Sequence, residues 1–267
     1  MDKSMPRNAA DGRGRAGLVR PGGKTPAAAL RARKTLFALL GGLGLFLYAS
    51  CSGQITGQLA QDTSGTLQIQ AGLEPNIISL INTLRSLGPA GTRQGPILDA
   101  AAFNSALQAA PGVKSAVLRN NGQERIAGTV SISRIGDLFL AGNGFIRYEG
   151  SPGAPSGKLS IHLDRATGFR ILPLISSEAV DYLSALMAPV ATGEALSKKE
   201  YLELVSSVYG EDIAAEIAAA GIGARISVPG AISSVKGGTF SGREARFDIP
   251  LLDILVLEAP LDYEIAW

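Results

Sequence analysis

The sequence predicts an α+β fold, a mainly antiparallel curved sheet with several helices packed on one face. Three observations carry that expectation. Alternating apolar and polar runs recur on both sides of a central helical block, with turn signals such as Asn120-Asn121-Gly122 between them. Apolar residues at helical spacing come in groups and do not alternate one by one with strands. No cysteine lies beyond residue 51, so apolar burial must hold the domain together without disulfides.

Residues 65–73 alternate, with Leu67, Ile69, Ala71 and Leu73 against Thr66, Gln68 and Gln70, and read as the first half-buried strand. Glu74-Pro75-Asn76 ends it. Ile77, Ile78, Leu80, Ile81 and Leu84 follow at helical spacing until Gly88-Pro89. A Gly/Pro loop over 86–96 leads to a second helix over 98–109, with Asp99 as N-cap and Ala102, Phe103, Ala106 and Leu107 as its stripe. Pro111-Gly112 stops it. Residues 113–119 and the alternation Ile126, Gly128, Val130, Ile132 form a hairpin. Two more strands are expected at 145–149 and 159–163, around a Gly/Pro loop.

In the helical block, Ser176 or Ser177 caps a run carrying Val180, Leu183 and Met187. After a loop at 191–196, Ser197 and Glu200 have capping-box spacing for a helix lined by Tyr201, Leu202 and Val205. Gly210 separates it from a helix over Glu211–Ala219. The chain then returns to strand at 224–228 and 231–236. Ala245, Phe247, Ile249 and Leu251 alternate next, and finally Leu261, Tyr263, Ile265 and Trp267. Ending in phase on Trp267 predicts a last strand that is paired and packed. The apolar run 249–257 reads as a strand or bend completing the core; the alternative is a wall of an apolar ligand cavity or a membrane-facing edge.

The N-terminal part has a different character. Arg31, Arg33 and Lys34 precede an apolar stretch over 36–48, which ends in Ala49-Ser50-Cys51. Thirteen residues make a helix of roughly 20 Å, short of a hydrocarbon core of about 30 Å. Residues 1–50 therefore read as a cleaved signal peptide with a long basic n-region, and a retained membrane anchor is the alternative. The box resembles that of a bacterial lipoprotein, with Tyr48 where Leu is usual. The resemblance implies cleavage before Cys51 and lipidation of Cys51. Polar residues 51–64 read as a flexible tether, and 65–267 as a single α+β domain, with a division into halves near 170 left open.

Residues 1–50 hold nine Lys/Arg and two Asp/Glu of the chain's 25 and 23, leaving 25 − 9 = 16 basic and 23 − 2 = 21 acidic residues beyond them. The mature chain is thus net −5 and unsuited to a nucleic-acid backbone. The expected partner is the membrane, through the N-terminal lipid.

Three segments carry a further resemblance: DYLSALMAPVATG over 181–193 with KEYLELVSSVYG over 199–210, VKGGTFSGREARFDIPLLD over 235–253, and LDYEIAW over 261–267. Together they resemble a family of uncharacterised spirochaetal, Treponema-type lipoproteins, which implies a location without an activity. The closing pattern, a Pro-Gly turn before Gly-rich hairpins and a final Trp, is also similar to LppM-type lipoprotein domains. That similarity implies a lipid-handling module with a curved sheet.

No residue set points to catalysis, a metal or a cofactor. His162, the sole histidine, shares a strand face with Ser160 and Asp164, but a triad needs a presented nucleophile and an oxyanion hole, and no Gly-x-Ser-x-Gly elbow occurs in the mature chain. A solvent-facing His162 is expected. Any metal site would be carboxylate-only, without a calcium-loop pattern. Glu211-Asp212 and Glu200/Glu203 read as solvated helix faces, and Gly237-Gly238 and Gly142-Asn143-Gly144 as tight turns. The expectation is a non-enzymatic, lipid-anchored module of the bacterial envelope that binds an apolar or lipid-like ligand. The alternative is a structural or protein-interaction module without a cavity.

Overall fold

A computed structural model describes residues 53–87, 95–139, 145–175 and 177–267. Cys51, the apolar stretch 36–48, Gly88-Pro89, Ser176 and the Gly142–Gly144 turn lie outside the described residues. A hairpin of β1 (Gly53–Leu59) and β2 (Gly65–Gly72) comes first, then helices α1 (Pro75–Leu87) and α2 (Ala100–Ala109). Two further hairpins pair β3 (Val113–Asn120) with β4 (Arg125–Ile132) and β5 (Ile146–Glu149) with β6 (Lys158–Leu163). Four helices follow: α3 (Ser177–Ala185), α4 (Pro189–Thr192), α5 (Lys198–Tyr209) and α6 (Glu211–Ala219). The chain closes with β7 (Gly221–Ser227), β8 (Ser234–Lys236), β9 (Thr239–Ser241), β10 (Glu244–Pro250), α7 (Leu251–Val256) and β11 (Leu261–Ala266).

The strands form two open sheets, ordered β3-β4-β2-β1-β7-β10-β9 and β5-β6-β11-β8. Every pairing is antiparallel except β1 with β7. The α+β class matches the expectation. Each sheet joins strands from both sides of residue 170 at one seam, β1 with β7 in the larger and β6 with β11 in the smaller.

The tether expectation needs correction. Gly53–Leu59 is β1, the middle strand of the larger sheet, not a flexible linker. Its inward positions are Gly53, Ile55, Gly57 and Leu59, so two glycines dilute the apolar alternation. Gly57 is small for a reason: a Cβ there would lie 2.7 Å from Ile226 Cδ1 and 2.9 Å from Leu67 Cδ2, which converge over it.

Register places Leu67, Ile55, Ala224 and Phe247 on one face of this sheet, with Thr56, Gln58, Gln68, Gln70, Arg225 and Arg246 exposed on the other. The apolar face meets α2 over β3 and β4, and the smaller sheet over β7 and β10. Trp267 is buried beside Leu59 and Val228, and its N–H donates to the Gly157 carbonyl at 2.9 Å, so the last strand is packed as expected. The helical block buries Tyr201, Val205 and Val256 nearly completely, each such apolar burial stabilising by about 1.5–3 kcal/mol. The expected capping box and N-cap are both present. Ser197 Oγ accepts from Glu200 N–H while the Glu200 carboxylate accepts from Ser197 N–H, and Asp99 caps α2 through Ala101 N–H.

Run 249–257 is the second correction. Ile249 and Pro250 finish β10, but Leu251–Val256 is helix α7, ended by Leu257 in left-handed geometry. Pro250 supplies no N–H to extend the strand ladder, and a helix buries Leu252, Leu255 and Val256 together. Part of the expected 191–196 loop is likewise helical, in α4.

The exposed edge of β3 is sealed by side chains of α2. Asn104 Oδ1 accepts from Leu118 N–H at 2.7 Å, Asn104 Nδ2 donates to Leu118 O at 2.9 Å, and Gln108 Nε2 donates to Ala116 O at 3.0 Å. Asn104 thus pairs with the edge as a neighbouring strand would. Asn104→Ala should cost about 1–3 kcal/mol by stranding both part-buried Leu118 groups, read as a lower urea midpoint with an unchanged slope.

Candidate functional site

Between the two sheets lies a cavity of ≈ 320 Å³. Its floor is the larger sheet, through Ile55, Leu67, Val130, Ala224, Ile226 and Phe247. Its roof is the smaller sheet, through Ile146, Leu159, Ile161, Tyr263 and Ile265. Ile135 and Leu138, and Leu107 and Ala110 at the end of α2, close the sides. Alternation along these strands turns apolar side chains inward, and Ala224 in mid-floor is too small to reach the roof. Glu264 borders the space, but its carboxylate is taken by Lys158 Nζ at 2.7 Å. Tyr263 stacks edge-on against Phe247 at 5.5 Å, and burial raises its phenol pKa above the ordinary value, with Asp253 adding to the effect. It is the un-ionised phenol that faces this space at neutral pH.

A second apolar cavity of ≈ 210 Å³ lies among Leu73, Ile77, Tyr182, Leu183, Ile217 and Leu251. Glu216 on its wall accepts from the N–H groups of Asn76 at 3.1 Å and Ile77 at 3.0 Å, capping α1 from another helix and supplying the negative charge its first turn lacks. Ile249 lines the first cavity and Leu251 and Leu255 the second, so the run singled out in the sequence walls both spaces.

No family model and no curated protein matches the chain, so the spirochaetal family resemblance finds no support there. Among solved structures, the folded domain of LppM from Mycobacterium tuberculosis matches weakly. It is 9% identical with a TM-score of 0.32, over 82% of this chain and 91% of that one. So slight a likeness carries no argument about function.

His162 is on the solvent side of the smaller sheet, 54% exposed, as expected. Directly opposite it in register is Asp262, whose Oδ1 lies 2.5 Å from His162 Nδ1, and Lys236 Nζ meets the other oxygen of Asp262 at 3.2 Å. Asp164 Oδ2 lies 3.6 Å from Nε2, while Asp164 Oδ1 accepts from Thr167 N–H at 2.8 Å. Ser160 Oγ turns to the Arg147 carbonyl at 3.5 Å. The structure therefore gathers His162 with two carboxylates and leaves Ser160 out. The Asp262 hydrogen bond, the largest influence, raises the His162 pKa above 6.5. The His162 bond lowers that of Asp262, and the Thr167 bond that of Asp164. With a folded-state pKa above the unfolded one, His162 contributes stability fully present below about pH 6.5 and lost as pH rises through the raised value. The two aspartates contribute stability present above about pH 3.8 and lost as pH falls through their lowered values. His162→Gln should flatten the neutral part of that pH–stability profile, measured by urea unfolding at fixed salt.

Tyr201 is the most perturbed group, its pKa pushed up to about 12 by burial and by Tyr209; its hydroxyl donates to Leu186 O at 3.3 Å as part of the core. No group of three or more metal-ligating side chains occurs among the described residues, and no described helix is long and apolar enough to cross a membrane.

Proposed function

We propose that this protein is a lipid-anchored module of the bacterial envelope whose domain holds an apolar, lipid-like ligand between its two sheets. The apolar inter-sheet cavity carries the reading. Apolar walls that face an unfilled space lack the contacts a packed interior supplies. A hydrocarbon occupant supplies those contacts. The lining offers apolar contact and almost no polar group to orient a headgroup, so the ligand is recognised as a chain or ring of hydrocarbon, and any polar end stays outside.

Anchoring rests on the Arg/Lys–apolar–Ala49-Ser50-Cys51 order. Two or more acyl chains give stable attachment where one is marginal. Cys51→Ser should release the protein from membranes or leave it unprocessed; normal processing and retention of that variant would contradict the anchor. For the ligand, a fluorescent fatty acid titrated into the delipidated protein should saturate at one-to-one stoichiometry. Unsaturable, weak partitioning would favour the alternative of a protein-docking module.

A further inference from the structure

β1 begins at Gly53, two residues after Cys51, and two residues of chain span at most about 7 Å. The register then fixes which surface lies beside the attachment point. Gly53 pairs with Ala71 and Ile222, Ala71 with Ile126, and Ile222 with Ile249. One end of the larger sheet thus carries the start of β1, the end of β2, the β3–β4 turn at Asn121, the start of β7 and the end of β10. The second cavity sits off those same strand ends, where Gly72, Leu73, Ala220 and Leu251 line it. Trp267, the only tryptophan, packs at the other end with Leu59 and Val228. The length of β1 separates the two ends by about 20 Å.

We propose that the sheet end bearing Gly53 faces the bilayer in which Cys51 is anchored, and that the second cavity takes up a phospholipid acyl chain there. The proposal rests on the anchoring reading and adds to it an orientation and a second ligand site. On a long tether the domain would tumble freely; a two-residue link holds this one end against the headgroups. The cavity's chemistry fits a chain drawn from the bilayer. Its walls are apolar apart from Glu74, Glu216 and the Tyr182 hydroxyl; that hydroxyl accepts from Arg85 Nε–H at 2.8 Å, and Glu216 is committed to the N–H groups of α1. Neither carboxylate offers a donor to a phosphate, so the headgroup stays at the interface while the hydrocarbon enters.

The test uses the full, lipidated chain in phosphatidylcholine vesicles brominated on their acyl chains, with tryptophan emission compared to unbrominated vesicles. The natural chain reports the far end through Trp267. Asn121→Trp and Glu74→Trp, each combined with Trp267→Phe, report the turn and the cavity rim. The probes at 74 and 121 should lose about half their emission or more, while Trp267 loses almost none. Quenching of Trp267 as strong as at those two positions overturns the placement, and the natural chain alone can show it without any substitution. An unquenched probe at 74, on a chain whose intact mass and flotation prove it lipidated and vesicle-bound, overturns the acyl-chain site. A chain that carries no lipid and stays off the vesicles overturns the anchoring reading itself, and the orientation falls with it.

Discussion

Ala224→Phe should empty the domain of its ligand without unfolding it. Ala224 sits on β7 in the middle of the cavity floor, flanked in register by Ile55 on β1 and Phe247 on β10. A benzyl group there projects into the inter-sheet space and occupies volume that a hydrocarbon ligand needs. Overpacking a filled core costs about 1–3 kcal/mol, but this site has room, so stability should shift by less than about 1 kcal/mol. Co-purifying ligand should fall at least about tenfold, equivalent to about 1.4 kcal/mol of binding. Ala110→Phe, on the side wall, offers the same test from another element. Undiminished ligand in both folded variants would place the ligand elsewhere.

Gly128→Val should be the most damaging substitution in the larger sheet. Gly128 pairs with Leu118 at the point where β3 approaches most closely. A Cβ there would lie 2.0 Å from the Val117 carbonyl oxygen and 2.7 Å from Leu118 Cα. Both obstacles are backbone, so no rotamer change relieves the clash and β3 must move as a whole. Moving it breaks the ladder to β4, the Asn104 bonds to Leu118, and the packing of Ala116 and Leu118 under α2. A loss of about 3 kcal/mol or more is expected, large against typical domain stability. Urea unfolding measures it; a midpoint near the wild-type value would contradict so close a strand contact.

What the sequence revealed and what it concealed follow from the range of the forces involved. Local chemistry was legible. The Asp99 cap, the Ser197–Glu200 box and the Asn120-Asn121-Gly122 turn depend on neighbours within a few residues, and each is where the pattern puts it. Strand β1 was concealed because Gly53 and Gly57 take two of its four inward positions, and the reason for Gly57 lies on other strands, in Leu67 and Ile226. Ile55 and Leu59 against Gln54, Thr56 and Gln58 were the available signal. Helix α7 was concealed because an apolar run broken only by Asp253 has no period to separate helix from strand; Pro250 was the clue.

The site divides in the same way. Inward-facing residues of β2, β4, β10 and β11 could be named from alternation, which is why an apolar interior was expected. The space between them depends on how far apart two sheets stand, and no single strand encodes that distance. The His162–Asp262 pair joins residues one hundred positions apart, and only the β6–β11 register brings them together.

The central claim is that the inter-sheet cavity holds a hydrocarbon ligand, and native mass spectrometry of the protein purified from its own membranes tests it most directly. Native and denaturing masses are compared on one sample, so that lipid covalently attached at Cys51 appears in both. The account predicts a stoichiometric lipid-sized adduct in the native spectrum that is lost on denaturation. Identical masses under the two conditions would contradict it.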